Sequence, residues 1–257
     1  MIEVERSHEG RVETWWLSSP ETFNAVTYDM WASLRDEARR AAGDSTLRAV
    51  IIRGRGDHFC SGANIRQLGR SLAADVDGTT YRQLNADAQE ALASLPMVTI
   101  AALHGNCVGG GVQLALTCDL RVATADLVVG VTPVKLGIVY PAGAIDRLVR
   151  NVGEATARQL LLLGDLHDAD FAWRCGLVHE VVPNLDERLD SWISSIVSRS
   201  AYAQELTKIA LARRARGEGG DGRDLEALSV AHGDVDEGVS AFVEKRSPRF
   251  SERPARS

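Results

Sequence analysis

Two apolar, β-branched runs set the frame for this chain. "LRAVIIRG" at 47–54 and "MVTIAALHG" at 97–105 have the length of strands and close on glycine. Neither alternates apolar with polar residues, so each predicts a strand buried on both faces, as in sheets covered by helices. Each run follows a segment with helical periodicity. "TYDMWASLRDEARRAAG" repeats apolar residues at Met30/Trp31, Leu34 and Ala38, with Thr27 placed to cap its start and Gly43 to end it. "TYRQLNADAQEALASL" is a second such helix, stopped by Pro96. Two short strand patterns, "IEVERS" and "RVETWWLSS", surround a His8-Glu9-Gly10 turn at the start, and "DLRVATADLVVG" supplies a further strand pair. Strand–strand–helix units thus recur at a spacing of about 45–50 residues, which predicts a layered α/β spiral.

From about Asn151 the pattern turns helical, through "GEATARQLLLLG", "DADFAWRCG", "LDERLDSWISSIVSRSAYAQELTKIALARRARG" and "DLEALSVAHGDVDEGVSAFVEK". "GLVHEVVP" reads as one isolated strand among them, and "GEGGDG" at 217–222 as a loop. "GDHFCSGANIRQLGRSLAADVDG" reads as a mobile loop with one weak helix, and the tail "SPRFSERPARS" as partly disordered.

Bulk properties narrow the function classes. A net charge of −6 argues against a nucleic-acid surface. No apolar run reaches the ~18 residues of a membrane span. The charged start "MIEVERSHEG" has no apolar leader core. Cys60, Cys107, Cys118 and Cys175 form no CxxC pair, which fits buried free thiols in a reducing, cytoplasmic setting. No cluster has metal-ligand spacing, so no metal is expected. His58 and His104 stand alone and read as structural, and Cys60 has no visible base partner.

"GNCVGGGVQLALTCD" at 105–119 carries the chemistry. Its glycines lack the phosphate-binding fingerprints GxxxxGK[ST] and helix-opening GxGxxG. They suit either tight strand–helix packing or an oxyanion hole at a helix N-terminus, where N–H groups are unpaired. A second donor has a candidate in "HFCSGANI" at 58–65, whose Ser61-Gly62-Ala63 turn lets a ligand approach the backbone.

Taken together, "FCSGANIRQL" and "ALHGNCVGGGVQLALTCDLRVATAD" resemble the enoyl-CoA hydratase/isomerase superfamily, the crotonase fold. The likeness runs on through "GVTPVKLGIVYPAGAIDRLVR", "ATARQLLLLGDLHDADFAWRCGLVHEVVP" and "DEGVSAFVEKRSPRF". It implies a spiral core of ββα units over 1–195 and a C-terminal helical trimerisation segment over 196–257. It implies homotrimers or dimers of trimers, and acyl thioesters of coenzyme A or of a carrier-protein pantetheine as substrates, with no separate cofactor. The thioester oxygen would sit between the N–H groups of Ala63 and Gly110, with Ser61, Gly62, Ile65, Gly109 and Pro133 as substrate contacts. By the same resemblance Phe242 and Lys245 of a neighbouring subunit would touch the adenine–phosphate end.

Two departures redirect the chemistry. The positions of the two hydratase glutamates hold Gln113 and Pro133. "TPVKLGIVYPAG" instead resembles methylmalonyl-CoA decarboxylases of the superfamily, with Thr132 and Tyr140 matching, although those enzymes keep a glutamate at the Gln113 position and a histidine at that of Ala63. The expectation is a lyase that decarboxylates a malonyl-type thioester, Tyr140, Gln113 and Thr132 positioning the carboxylate. The alternatives are a hydratase or isomerase with a relocated acid, for which Asp146 is the nominee, and a non-catalytic acyl-CoA binder.

Overall fold

The computed structural model describes residues 1–68 and 79–254. Strands β1 (Ile2–Ser7) and β2 (Val12–Leu17) form the expected hairpin, with His8, Glu9 and Gly10 all at positive φ in the turn. Helix α1 (Tyr28–Ala42) starts where Thr27 accepts a hydrogen bond from the Met30 N–H at 3.2 Å. Then come β3 (Ala49–Gly54), α2 (Thr79–Ala93), β4 (Val98–Leu103), β5 (Asn106–Val108), α3 (Gly110–Thr117), β6 (Leu120–Ala123) and β7 (Val128–Gly130). After a 3₁₀ turn at Pro133–Leu136 follow α4 (Ala142–Leu163), β8 (Leu166–Asp168), α5 (Ala169–Arg174) and β9 (Glu180–Val181). The chain closes with α6 (Leu185–Val197), α7 (Ala201–Ala215), α8 (Arg223–Ala231) and α9 (Asp234–Val243).

Six strands make one sheet in the order β1-β2-β3-β4-β6-β9, parallel from β2 onward, and β5-β7-β8 make a second. The non-alternating runs are explained by where their two faces go. Trp15, Val50, Ile52, Ala101 and Leu103 pack with α1, α2 and α3 on one face. Val12, Ala49, Ile51, Ile100, Ala102 and Val122 pack on the other, against Leu185, Leu189, Ile193 and Ile196 of α6. Those four recur at helical spacing, so α6 lays one apolar stripe along the sheet. Lys208 ties α7 to the body by donating to the Met97 carbonyl at 2.7 Å and to Asp119 at 2.6 Å.

Several expectations are corrected. The strands of "DLRVATADLVVG" do not pair with each other: β6 joins the large sheet and β7 the small one. Strands β5 and β8 were not anticipated; at three residues each they carry no period a sequence can display. The "GLVHEVVP" strand is not isolated, since Val122 and Ala123 pair with its Glu180 and Val181. The helix expected from about Asn151 already begins at Ala142, because Ala144, Leu148 and Val152 carry its buried face; Gly153 is a break within it, at φ 75° and ψ 163°. The tail is tied down as far as Arg253, which is buried and donates to the carbonyls of Asp44 and Leu47, each at 2.8 Å; residues 255–257 of the stretch read as partly disordered lie outside the described residues. Residues 69–78 of the stretch read as a mobile loop lie outside the described residues. Among the described residues no helix is long and apolar enough to cross a membrane.

Candidate active site

The two expected donors are delivered by different parts of the spiral. After β3 the chain turns beneath β5, where the Cys60 N–H donates to the Asn106 carbonyl and the Val108 N–H to the Cys60 carbonyl, at 2.8 and 2.9 Å. It then bridges Val26: the Val26 N–H donates to the Gly62 carbonyl at 2.7 Å and the Asn64 N–H to the Val26 carbonyl at 2.9 Å. In such a parallel bridge residues 62 and 64 serve Val26, so the Ala63 N–H between them points away, toward the cleft. Gly110 opens α3, where its N–H has no acceptor inside the helix. Gly109, at φ 51°, makes the turn into that helix, and its own N–H is held by the Gly130 carbonyl at 2.9 Å. Only a glycine fits at 111, since a Cβ there would stand 2.6 Å from the Cys60 carbonyl oxygen. That close approach brings the two donors together: a Cβ on Gly110 would lie 3.2 Å from the Ala63 nitrogen. Two convergent N–H groups at the end of a helix suit a developing oxyanion.

These donors open onto a cleft of about 1750 Å³. Ser61, Gly62, Ala63, Ile65, Gly109, Gly110, Gln113, Thr132, Pro133 and Tyr140 all line it. Thr132 is half-buried at the head of the 3₁₀ turn that Pro133 begins. Tyr140 is buried, and its hydroxyl donates to the Gly109 carbonyl at 2.9 Å. Burial pushes that hydroxyl well above the ordinary phenol range, the neighbouring Cys107 adding to the rise and a hydrogen bond with the Gln113 side chain opposing it. Gln113 is also buried, its Oε1 accepting from Gln89 Nε2 at 3.2 Å. Of the described lining residues, the carboxylates are Asp87 and Glu90, both on α2. Neither stands at the Gln113 or Pro133 position.

Other nominees fall outside the cleft. Asp146 is exposed and does not line it, because Arg147, one position on, takes the inward side of α4. Phe242, 85% exposed, and Lys245 lie away from this chain's own cleft. His58 is fixed by accepting from the Asn106 N–H, and His104 Nε2 is bonded to the Gly56 carbonyl; both serve the loop, not the cleft. Cys60 is fully buried and burial pushes its thiol up to about 12, which leaves it a packing residue and no nucleophile.

Three further residues shape the wall. Asn85 and Gln89 lie one turn apart on α2, both buried, with Gln89 Nε2 donating to Asn85 Oδ1 at 2.7 Å. Arg147 Nη1 donates to Gln89 Oε1 at 3.0 Å. Polar residues at i and i+4 on the buried face of an amphipathic helix were the available sign of Asn85 and Gln89. Nothing in the sequence pairs Arg147 with them. Arg66, Arg82 and Lys135 add positive charge to the lining, a setting suited to anionic groups.

Comparison with known proteins places the chain in one family. The enoyl-CoA hydratase/isomerase family model matches residues 9–253. The "Probable enoyl-CoA hydratase echA8" of Mycobacterium bovis is 33% identical over 98% of each chain. The 2,3-dehydroadipyl-CoA hydratase of Escherichia coli is 32% identical, over 98% of this chain and all of that one (100%). A solved enoyl-CoA hydratase/isomerase family member superposes with a TM-score of 0.90 at 32% identity, over 99% of this chain and 97% of the other.

Proposed function

The chain belongs to the enoyl-CoA hydratase/isomerase family, and from that premise we propose that it decarboxylates a malonyl-type acyl thioester carried on coenzyme A or on a carrier-protein pantetheine. The observation that carries this reading is an oxyanion hole without its two carboxylates: Gln113 and Pro133 face the cleft where hydratases of the superfamily hold glutamates. General acid–base help is worth about 10²–10⁴ in rate, and a hydratase needs it on both sides of the double bond. Decarboxylation needs none for its first step. The C–C bond to the carboxylate breaks, its electron pair enters the thioester, and CO₂ leaves with an enolate oxygen between Ala63 and Gly110. A proton from water then reaches the α-carbon. Each N–H donor supplies about 3 kcal/mol where negative charge develops.

The wall suits that orientation task. Gln113 Oε1 is taken by Gln89, so its amide N–H₂ remains to steer a carboxylate edge-on, and Thr132 lines the same cleft. A neutral amide holds the carboxylate without the ion pair that would stabilise the ground state. Tyr140 already donates to Gly109, so its part is to brace the hole. The chain would assemble as a trimer or a dimer of trimers. In support, Val235, Val239, Phe242 and Val243 leave one face of α9 apolar and exposed, and a neighbour's Phe242 and Lys245 would then reach the nucleotide end of the ligand.

The test is to incubate the protein with methylmalonyl-CoA and ethylmalonyl-CoA and follow CO₂ release and the mass of the thioester. Binding of both without loss of CO₂ refutes the reading. Two observations favour a second reading: Glu90 lines the cleft, and the relatives named above carry hydratase names. Hydration of crotonyl-CoA, lost in Glu90→Gln, would establish it.

A further inference from the structure

Arg147 stands apart from the other cations of the cleft lining. Arg66, Arg82 and Lys135 are exposed, whereas the Arg147 side chain is 18% exposed. Among the described residues it makes one hydrogen bond, from Nη1 to Gln89 Oε1 at 3.0 Å. The carboxylate paired with it, Glu90, lies 3.9 Å from Nη2, beyond hydrogen-bond reach, with a side chain 72% exposed. A guanidinium carries several N–H donors and no acceptor, so most of its donors are left to the cleft that it lines. Burying such a cation against a neutral amide costs desolvation that an anionic partner would offset.

The neighbouring amides are turned by its presence. Because Arg147 can only donate, Gln89 must offer it Oε1. That leaves Gln89 Nε2 to donate to Asn85 Oδ1 at 2.7 Å and to Gln113 Oε1 at 3.2 Å. Both hydrogens of Nε2 are then used, and so is the Asn85 oxygen. What Asn85 keeps for the cleft is its N–H₂, which has no partner among the described residues and is not closed off from solvent. This part of the wall therefore offers donors, a cation and an amide, and suits a ligand group that brings only acceptors. Gln113 lies one turn of α3 beyond Gly110, and Gln89 and Arg147 follow from it in two hydrogen bonds. That is the side of the hole on which the proposed function places the acyl α-carbon. We propose that Arg147, with Asn85 at the other end of the Gln89 amide, is a recognition site for a carboxylate at the far end of the acyl chain. The substrates of the cleft are then acyl thioesters whose chain ends in a carboxylate, further along than the one that leaves. A guanidinium matches a carboxylate with parallel N–H donors, and Gln89 holds it in place.

Recognition of this kind rests on the thioester site of the proposed function, whichever reaction occurs there. It is tested by calorimetric titration of the protein with glutaryl-CoA and adipyl-CoA against hexanoyl-CoA and heptanoyl-CoA, neutral chains of matching length with the same nucleotide charge. None of these ligands has the malonyl carboxylate that decarboxylation removes. At least one dicarboxylic thioester should bind the wild-type protein about 10- to 100-fold more tightly than its neutral match, the range for hydrogen bonds to a charged group. Arg147→Met should abolish that ratio while hexanoyl-CoA affinity stays within about threefold. Arg147→Lys should keep part of it, and Glu90→Gln, which removes the competing carboxylate, should raise it. A merely structural arginine would move all the affinities together. Neutral chains that bind the wild-type protein as tightly as the dicarboxylic ones overturn the proposal with no variant needed, and so does a ratio that survives in folded Arg147→Met. Should Arg147→Met fail to fold, an unchanged ratio in Glu90→Gln overturns it. Binding of none of these thioesters overturns the thioester site and the carboxylate site together, whereas absence of CO₂ release from methylmalonyl-CoA would overturn decarboxylation alone.

Discussion

Replacing Gly110 by alanine separates the hole from the fold. The new Cβ would lie 3.2 Å from the Ala63 nitrogen, 3.4 Å from the Gly62 carbonyl carbon and 3.6 Å from the Gly62 Cα. A thioester oxygen must sit about 2.7–3.1 Å from both donor nitrogens, so the methyl group and the oxygen compete for one space. Losing a single such donor costs about 2.7–4 kcal/mol, or about 10²–10³ in rate. The backbone has no comparable objection. Gly110 is helical and is not among the residues at positive φ, and alanine favours a helix over glycine by up to about 1 kcal/mol. On the proposed decarboxylation, the expected outcome is kcat/KM for methylmalonyl-CoA reduced by at least about 10² with a melting temperature within a few degrees of wild type. Decarboxylation kinetics and thermal unfolding on the same preparation check it. A Gly110→Ala enzyme that folds normally and keeps wild-type kcat/KM would refute the assignment of the hole.

Asn24 is fully buried, accepts from the Ser19 N–H and donates to the carbonyls of Arg55 and His58, so Asn24→Ala should cost about 2–4 kcal/mol in denaturant unfolding. The thiols of Cys60 and Cys118, pushed up to about 12 by burial, should resist iodoacetamide at pH 8 until the protein is unfolded; rapid loss of activity on Cys60 labelling would contradict this. Burial lowers the pKa of His104 and of His179 below 6.5. The folded state therefore binds fewer protons than the unfolded one, and the stability this confers is present above pH 6.5 and lost as pH falls through the folded values. The melting temperature should drop between pH 7 and pH 5, by less in His104→Gln; equal drops in both proteins would count against His104.

What could be read from the sequence was local or strongly patterned. Thr27, the β1–β2 turn and the runs at 47–54 and 97–105 state their conformations within a few residues. The approach of Gly110 to Ala63 was legible because the glycines and the Ser61-Gly62-Ala63 turn are short, contiguous signals. Arg147, Gln89 and Gln113 meet only because α2, α3 and α4 converge, and no spacing along the chain encodes that meeting. The same holds for Arg253, whose partners Asp44 and Leu47 lie some two hundred positions earlier. Asp146 was nominated and Arg147 overlooked because inward and outward positions on α4 depend on a helix start that the sequence obscured with Pro141 and two small residues.

The two donor segments of the proposed hole have separate anchorages, one on Val26 and the other on Gly130. A ligand oxygen held by both is therefore a clasp between an early and a late turn of the spiral. The binding surface exists only once both turns have closed, so ligand affinity is drawn wholly from the folded population. At about 100 times the dissociation constant, a thioester should raise the unfolding free energy by about 2.7 kcal/mol. Fragments ending before residue 130 should gain nothing from it, which makes substrate itself a reporter of whether the spiral has finished folding.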